Sequence, residues 1–301
     1  MPKLPDFSLT RRRLLAAMAV APVLFNLPPA VAGQYPDARR IIALEWLPIE
    51  LLMALGITPL AVADIPNYRA WVNEPALPES VLDVGLRTEP NLEFMVQLKP
   101  SLILYSAGYG PSADKLARIA PGLGFNFNDG SGKPLDVARR SLAQLGEVLG
   151  MQQAAQRHLS EFDSFIDSMK PRFAGHQDRP VLLMSFLDSR HVLVVGKHSL
   201  FQQVMSLLGL QNAWQGQTNF WGTAVVGIER LAEIKEADVL CLEHNNRPMI
   251  TQATSTALWR AMPFVRENRF QTIPAVWLYG STLSAMHLTR VLDKALGASA
   301  S

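Results

Sequence analysis

Asn91-Leu92-Glu93-Phe94-Met95-Val96-Gln97-Leu98-Lys99-Pro100-Ser101-Leu102-Ile103-Leu104 aligns without a gap on Gly227-Ile228-Glu229-Arg230-Leu231-Ala232-Glu233-Ile234-Lys235-Glu236-Ala237-Asp238-Val239-Leu240. Each copy spaces apolar residues at helical intervals between an early Glu and a late Lys, then ends in an apolar run. The first part predicts a short amphipathic helix and the second a buried strand. One such unit in each half of a 301-residue chain predicts two related lobes.

Outward from the repeat, short apolar runs predict strands at Arg40–Leu44, Leu60–Ala63, Ser101–Ser106, Phe125–Asn128, Val181–Phe186, His191–Val195, Asp238–Leu242 and Phe270–Ile273. Helical patterns fall between them at Leu47–Leu55, Asn91–Leu98, Ala113–Ile119, Ser199–Leu208, Ile228–Ile234 and Thr256–Glu267. Strand alternating with helix predicts an α/β fold with central, mostly parallel sheets. From Met151 to about Phe173, Pro171 is the single helix breaker, and Ala154, Leu159, Phe162, Phe165, Ile166 and Met169 recur at roughly helical spacing. That segment predicts one long helix, suited to joining lobes rather than to filling a core. The expected organisation is an N-terminal lobe at 33–150, a connecting helix at 151–173 and a C-terminal lobe at 174–301.

The first 32 residues read as an export signal. Thr10-Arg11-Arg12-Arg13 precedes an apolar run to Leu27, and Ala30-Val31-Ala32 offers a cleavage site before Gly33. Paired arginines after a hydroxyl residue resemble a twin-arginine (Tat) signal. No Cys stands directly after the cleavage site, so lipid attachment there is unavailable and the mature protein is expected to be soluble in a periplasm. Lys3 and the three arginines against Asp6 give the signal +3, leaving 2 − 3 = −1 for the rest of the chain. A near-neutral chain without a basic run excludes nucleic acid as a partner. With 49% hydrophobic and 18% charged residues the composition is that of a globular protein. The single cysteine, Cys241, lies in an apolar run and reads as a buried small hydrophobe.

Catalytic motifs are sparse. Gly108-Tyr109-Gly110-Pro111-Ser112-Ala113 follows an expected strand and opens a helix, with Asp129 further on. That formally satisfies a dinucleotide-binding turn, so an exported NAD(P)-dependent oxidoreductase is a rival reading. Ser112-Ala113-Asp114-Lys115 matches a Ser-x-x-Lys acyl-enzyme pattern without its partner motifs, and Ser112 reads better as a helix cap. The six histidines show no spacing suited to metal ligation. Aromatic residues stand out instead, gathered in loops: Tyr68 and Trp71, Tyr105 and Tyr109, Trp214, Phe220 and Trp221, Trp277 and Tyr279. Such loop aromatics suggest ligand walls, and Arg87 occupies a comparable loop, from which its loss should weaken binding and leave thermal stability alone.

At these residues the sequence resembles the periplasmic ferric-siderophore-binding proteins, above all the ferric hydroxamate (ferrichrome) class of Gram-negative bacteria. The resemblance runs from the twin-arginine segment to Leu292. It includes Ala43-Leu44-Glu45-Trp46-Leu47-Pro48, Asp83-Val84-Gly85-Leu86-Arg87-Thr88-Glu89-Pro90-Asn91-Leu92-Glu93, Ser106-Ala107-Gly108-Tyr109-Gly110-Pro111, Asn212-Ala213-Trp214-Gln215-Gly216, Thr218-Asn219-Phe220-Trp221-Gly222 and Pro274-Ala275-Val276-Trp277. It implies two α/β lobes joined by one long helix, a shallow cleft between them and little hinge closure. The implied activity is capture of a ferric hydroxamate siderophore and its delivery to an inner-membrane ABC permease. Such a protein is a monomer and not an enzyme, and it needs no cofactor because the iron arrives chelated.

Carried onto this sequence, the resemblance gives Arg87 and Tyr109 the hydroxamate oxygens. Trp71 and Tyr105 would line the same side, and Asn219, Trp221, Thr223, Trp277 and Tyr279 the opposite wall. The family pattern has Trp at the position of Tyr105 and Ser at that of Thr223. Three hydroxamates neutralise Fe³⁺ and fill its six oxygen positions, so an aromatic bowl with one arginine suits the resulting surface. Glu93 and Glu229, equivalent in the repeat, are expected to face arginines of the permease, although an acid at a helix start also suits the helix dipole. A binder of another chelate, cobalamin or haem, would keep the fold and change the ligand.

Overall fold

The computed structural model describes residues 35–297, so the export segment read at 1–32 lies outside the described residues. The first sheet comprises β1 (Ile41–Ala43), β2 (Ala61–Val62), β3 (Leu82–Asp83), β4 (Leu102–Ser106) and β5 (Gly122–Phe125). They are connected through α1 (Trp46–Ala54), α2 (Ile65–Trp71), α3 (Leu92–Leu98) and α4 (Ala113–Ala117). The strand order is β3-β2-β1-β4-β5 and every pairing is parallel. Next come α5 (Pro134–Val148) and α6 (Gln152–Met169), the latter prolonged by a 3-10 segment, Lys170–His176. The second half holds β6 (Val181–Phe186), β7 (His191–Val195), α7 (Leu200–Leu207), β8 (Thr223–Gly227), β9 (Asp238–Glu243), α8 (Arg247–Thr254), α9 (Ala257–Arg260), α10 (Pro263–Arg266), β10 (Phe270–Pro274) and α11 (Thr282–Gly297). Its sheet has the order β10-β9-β6-β7-β8, parallel except where β7 runs against both neighbours. The expected architecture, two α/β lobes with mostly parallel sheets linked by a long helix, is the one observed.

The core is arranged differently from two separate lobe interiors. One continuous cluster takes Ile41 and Leu104 from the first sheet, Leu183 and Leu240 from the second, and Trp46, Leu142, Phe162, Phe201 and Leu288 from the helices between them. Smaller clusters cover the outer faces, around Ile42 and Ile103 on the first sheet and Leu182 and Met184 on the second. Successive strand residues alternate between faces, so the buried runs of β1, β4, β6 and β9 serve both clusters at once. Helix α6 buries Ala155, His158, Phe162 and Ile166. It therefore joins the halves and also fills the shared core, which corrects the expectation that it would only link.

Both copies of the repeat form at matching positions, with α3 answered by a 3-10 helix, Ile228–Glu233, and β4 by β9. The fifth strand lies earlier than expected, at Gly122–Phe125 instead of Phe125–Asn128. The Tyr105 ring lies across that strand; a Cβ on Gly124 would come within 2.8 Å of it, so glycine occupies a position where strand propensity would favour a larger residue. The stretch read as one helix at Thr256–Glu267 is two short ones, because Thr256 caps α9 and Pro263 opens α10. Strands β3 and β8 carried no expectation.

Candidate ligand-binding site

A cavity of about 500 Å³ opens where the two halves meet. Glu45, Arg87, Ser106, Tyr109, Asn126, Phe127 and Asn128 line it from the first half, and Phe220, Trp221, Trp277 and Tyr279 from the second. The first-half residues follow the carboxyl ends of β1, β3, β4 and β5, the place where open parallel sheets present ligand-binding loops.

Arg87 is held by its loop and by its neighbours. The Asp83 carboxylate accepts the backbone N–H of Gly85 at 2.8 Å and of Ile65 at 3.1 Å, and the Asn91 N–H closes the loop onto Val84 O at 2.7 Å. Arg87 Nη1 donates to Glu45 Oε1 at 2.9 Å, Nε lies 3.7 Å from Asp64 Oδ2, and the guanidinium rests 3.6 Å above the Trp46 ring. Glu45 also caps α1, its Oε2 accepting the Leu47 N–H at 2.9 Å and the Ser106 hydroxyl at 3.2 Å. Gly110 lies against this loop, since a Cβ there would approach Arg87 O to 2.7 Å, and its neighbour Tyr109 is thereby kept beside the guanidinium. The Arg87 side chain is only 19% exposed. The expectation that its loss would spare stability is therefore revised, because Glu45, 8% exposed, would lose its cationic partner.

The facing wall is a chain of rings in near-perpendicular contact. Trp46 meets Trp277 at 4.6 Å, Trp277 meets Tyr279 at 5.2 Å, and Tyr279 meets both Phe127 at 5.3 Å and Trp221 at 5.5 Å. The chain thus crosses the seam between the halves twice. Burial pushes the Tyr279 phenol above its ordinary pKa, and a hydrogen bond with Thr223 offsets part of this. The Asn219 carboxamide oxygen accepts from Trp221 N at 2.9 Å and from the Thr223 backbone and hydroxyl at 3.1 and 3.2 Å, which fixes the loop that presents Trp221. Asn128 Nδ2 donates to Phe220 O at 2.7 Å and ties that loop to the first half. The buried Trp277 indole N–H has no hydrogen-bond partner.

Of the residues expected to touch ligand, Arg87, Tyr109, Trp221, Trp277 and Tyr279 line the cavity. Asn219 and Thr223 stand behind Trp221. Tyr105 points to the opposite face of the sheet, over β5, because strand alternation gives the cavity face to Ser106. Trp71 stacks on His244 across the seam, at 4.4 Å and 22°, outside the cavity. Glu93 and Glu229 are exposed in the first turns of their helices. A second hollow of about 520 Å³ lies between Gly132–Asp136 and α7, lined by Lys197, Gln202, Gln203 and Trp214. It gathers neither a buried cation nor a ring cluster, so the Arg87 cavity is the candidate. Among the described residues no three His, Cys, Asp or Glu side chains converge as a metal site.

The dinucleotide turn fares poorly on geometry. It opens a helix of five residues, Gly110 is packed against the Arg87 carbonyl, and Asp129 is bound to Arg140 at 2.7 Å. The cavity lies instead between two linked α/β halves, with aromatic side chains on both sides. The model of the periplasmic binding proteins matches residues 41–276. The chain belongs to the periplasmic binding protein family. It is 56% identical over 292 residues, 97% of this chain and 98% of the relative, to the iron(3+)-hydroxamate-binding protein FhuD of Escherichia coli (strain K12). Among solved structures it is similar to the siderophore-binding protein FhuD from Vibrio cholerae with bound Fe3+-Desferal, at 27% identity and a TM-score of 0.79, over 86% of this chain and 98% of that one. FhuD2 from Staphylococcus aureus with bound ferrioxamine B shares the fold at 17% identity and a TM-score of 0.70, over 87% of this chain and 100% of that one.

Several residues that line the cavity of this periplasmic binding protein are not ones the loop aromatics point to. Glu45 and Ser106 stood inside quoted motifs without a role, and their signal is the short distance in sequence from a strand end to a polar residue. Phe127 and Asn128 were hidden by the misplaced fifth strand.

Proposed function

We propose that this periplasmic protein captures iron(III)-hydroxamate siderophores of the ferrichrome class and passes them to an ABC importer in the inner membrane. The observation that carries the reading is Arg87, a guanidinium seated on an indole at the edge of an open aromatic cavity. The similarity of nearly the whole chain to a named iron(3+)-hydroxamate-binding protein supports it.

In the ferric trihydroxamate the metal is the cargo and its coordination is complete, so recognition falls on outward-facing oxygens and on an apolar periphery. Arg87 meets the oxygens with the N–H groups that Glu45 leaves free, and the Tyr109 hydroxyl adds a donor beside it. Trp221, Trp277 and Tyr279 cover the periphery, with Asn219 and Thr223 setting the Trp221 loop from behind. Trp71 and Tyr105 lie beyond this contact set. The protein needs no cofactor of its own and acts as a binder, not an enzyme. The halves are tied by Asn128 to Phe220 and by Glu74 to Arg290, so capture calls for little closure. Glu93 and Glu229, exposed at equivalent places on the two halves, dock the loaded protein on the permease.

Titration of intrinsic tryptophan fluorescence tests the reading, since Trp221 and Trp277 lie in the cavity wall. Ferrichrome and ferrioxamine B should quench it saturably, and iron-free siderophore or a nicotinamide dinucleotide should not. Binding of cobalamin or haem with no response to either ferric hydroxamate would overturn it.

A further inference from the structure

The first helix, α1, touches both walls of the cleft. At its start Glu45 holds Arg87, and Trp46 packs against both Arg87 and Trp277. Four residues after Trp46, about one turn and about 6 Å further along the axis at the usual helical rise, stands Glu50, fully buried. Its carboxylate reaches the N-terminus of α11. Oε2 accepts the Ser281 N–H at 2.8 Å, the Ser281 hydroxyl at 2.9 Å and the Ser284 N–H at 3.0 Å, and Oε1 accepts the Ser284 hydroxyl at 2.5 Å. The last helix is thus capped by an acid from α1, an element of the other half of the chain.

The gripped residues directly follow the second wall. Trp277 and Tyr279 line the cavity, Gly280 is next, and Ser281 begins the grip. The approach is so close that a Cβ on Gly280 would collide with Ser284 Oγ and Glu50 Oε1. Burying a carboxylate is costly unless its acceptor sites are filled. Burial raises the Glu50 pKa while the four donors from Ser281 and Ser284 pull it back. A hydrophobic side chain here would avoid that desolvation but would leave the Ser281 and Ser284 donors without an acceptor, so the acid is what ties the start of α11 to α1.

We infer that Glu50 is a positioning residue for ligand capture, fixing the Trp277–Tyr279 wall relative to Arg87 through one rigid helix, so that the cleft is assembled before the ligand arrives. The inference rests on the proposed ferric hydroxamate site. Preorganisation of this kind raises affinity by sparing the ordering of the wall at the moment of binding. Glu50 touches no ligand in this scheme.

The test measures ferrichrome affinity and dissociation rate, near-UV circular dichroism and thermal midpoint for wild type, Glu50→Gln and Ser284→Ala. Glu50→Gln keeps the volume and puts an amide where every partner donates. It should weaken binding by roughly tenfold, the equivalent of one charge-assisted hydrogen bond, chiefly through faster dissociation, with a changed near-UV signal from the Trp46, Trp277 and Tyr279 rings. Ser284→Ala should show the same signature in smaller measure, and it decides the matter if Glu50→Gln does not fold. A lower thermal midpoint with affinity and ring signal unchanged would make Glu50 a structural cap only and overturn the inference. Failure of the wild type to bind any ferric hydroxamate would instead remove the functional reading on which it rests.

Discussion

Strand for strand, β5-β4-β1-β2-β3 in the first half holds the places of β10-β9-β6-β7-β8 in the second. The first half passes from β1 to β2 through α1, whereas the second folds β6 straight back into β7 through a turn in which Asp188 accepts the N–H of Arg190 and His191. Neighbouring parallel strands need a crossover connection, here a helix, and a short turn permits only an antiparallel return. The first half therefore owns a helix inserted into the shared core, with Glu45, Trp46 and Glu50 along it. Among the described residues the second half has no helix between the matching strands, and its share of the cleft comes from two segments, Phe220–Trp221 and Trp277–Tyr279, that other residues must hold in place. One wall is charged and anchored on its own helix; the other is aromatic and anchored from outside.

The largest expected effect treats the halves as equivalent where the repeat makes them so. Reversing Glu93 and Glu229 together to Lys should abolish siderophore-dependent growth while the purified protein keeps its ligand affinity. Exposed charges facing a basic partner govern docking more than capture. Each single reversal should impair growth to a similar degree. Uptake at wild-type level by the double variant, at normal protein abundance, would show that the two helices merely carry acids suited to their own dipoles.

The charged wall should fail in two ways at once. Arg87→Ala removes a charge-assisted donor from the ligand, on the order of 1.5–3 kcal/mol or about ten- to hundredfold in affinity. It also leaves the buried Glu45 carboxylate without its cation, at about 1–3 kcal/mol of stability, partly offset by the Leu47 N–H and Ser106 hydroxyl that Glu45 retains. Calorimetric melting together with titration checks both losses. An unchanged melting temperature would mean that Glu45 is satisfied without Arg87.

Acid should expose the seam next. His244 stacks on Trp71, binds Ser185 Oγ at 3.1 Å and is pushed down to about 4 from 6.5 by burial. Above pH 6.5 it is neutral folded and unfolded, so its contribution to stability is constant there. As pH falls from 6.5 towards 4 the unfolded chain takes up a proton that the folded chain refuses, and stability drops, by on the order of 1–2 kcal/mol at pH 5. Burial lowers His158 and His287 as well, so the measurement is a difference: denaturant unfolding of wild type and His244→Gln at pH 7.5 and 5. Equal losses in the two proteins would acquit His244.

What the sequence revealed follows the same division. Val181–Phe186 is buried throughout and His191–Val195 over most of its length, both are bounded by turns, and they form with the expected ends. The glycine-bearing β5 does not look like a buried strand, so Phe127 and Asn128 beside it are hard to place, whereas Phe220 and Trp221 beside β8 stand out as loop aromatics although that strand carries no signal of its own. Arg87, Tyr109, Trp277 and Tyr279 stood out because loop aromatics and a lone loop arginine are conspicuous. Glu45 and Glu50 did not, since their roles depend on partners 42 and 231 or more residues away.

The aromatic wall should respond in affinity alone. Trp221 is 46% exposed and its loop is fixed by Asn219 through backbone contacts that a smaller side chain would keep. Trp221→Ala should therefore weaken ferrichrome binding by roughly five- to tenfold, the worth of one stacked ring, with the melting temperature within error of wild type. A substantial loss of stability would show that the ring chain through Tyr279 supports the fold as well as the ligand, and would erase the contrast between the walls.

The smallest effect belongs to Trp71, and it tests where the cleft ends. Trp71 is half-exposed on the last turn of α2, and its visible partner is the His244 ring in the second half. If the ligand stays within the cavity bounded by Arg87 and Trp221, Trp71→Ala removes a stacking contact between the halves and nothing from the ligand. Affinity should then change by less than about threefold, and stability should fall by about 0.5–1.5 kcal/mol, the worth of an aromatic pair. Should Trp71→Ala instead cost tenfold in affinity, the ligand must reach across the seam to α2. In that case the His244 stack would be a contact that ligand displaces, and the first half would own an aromatic wall of its own.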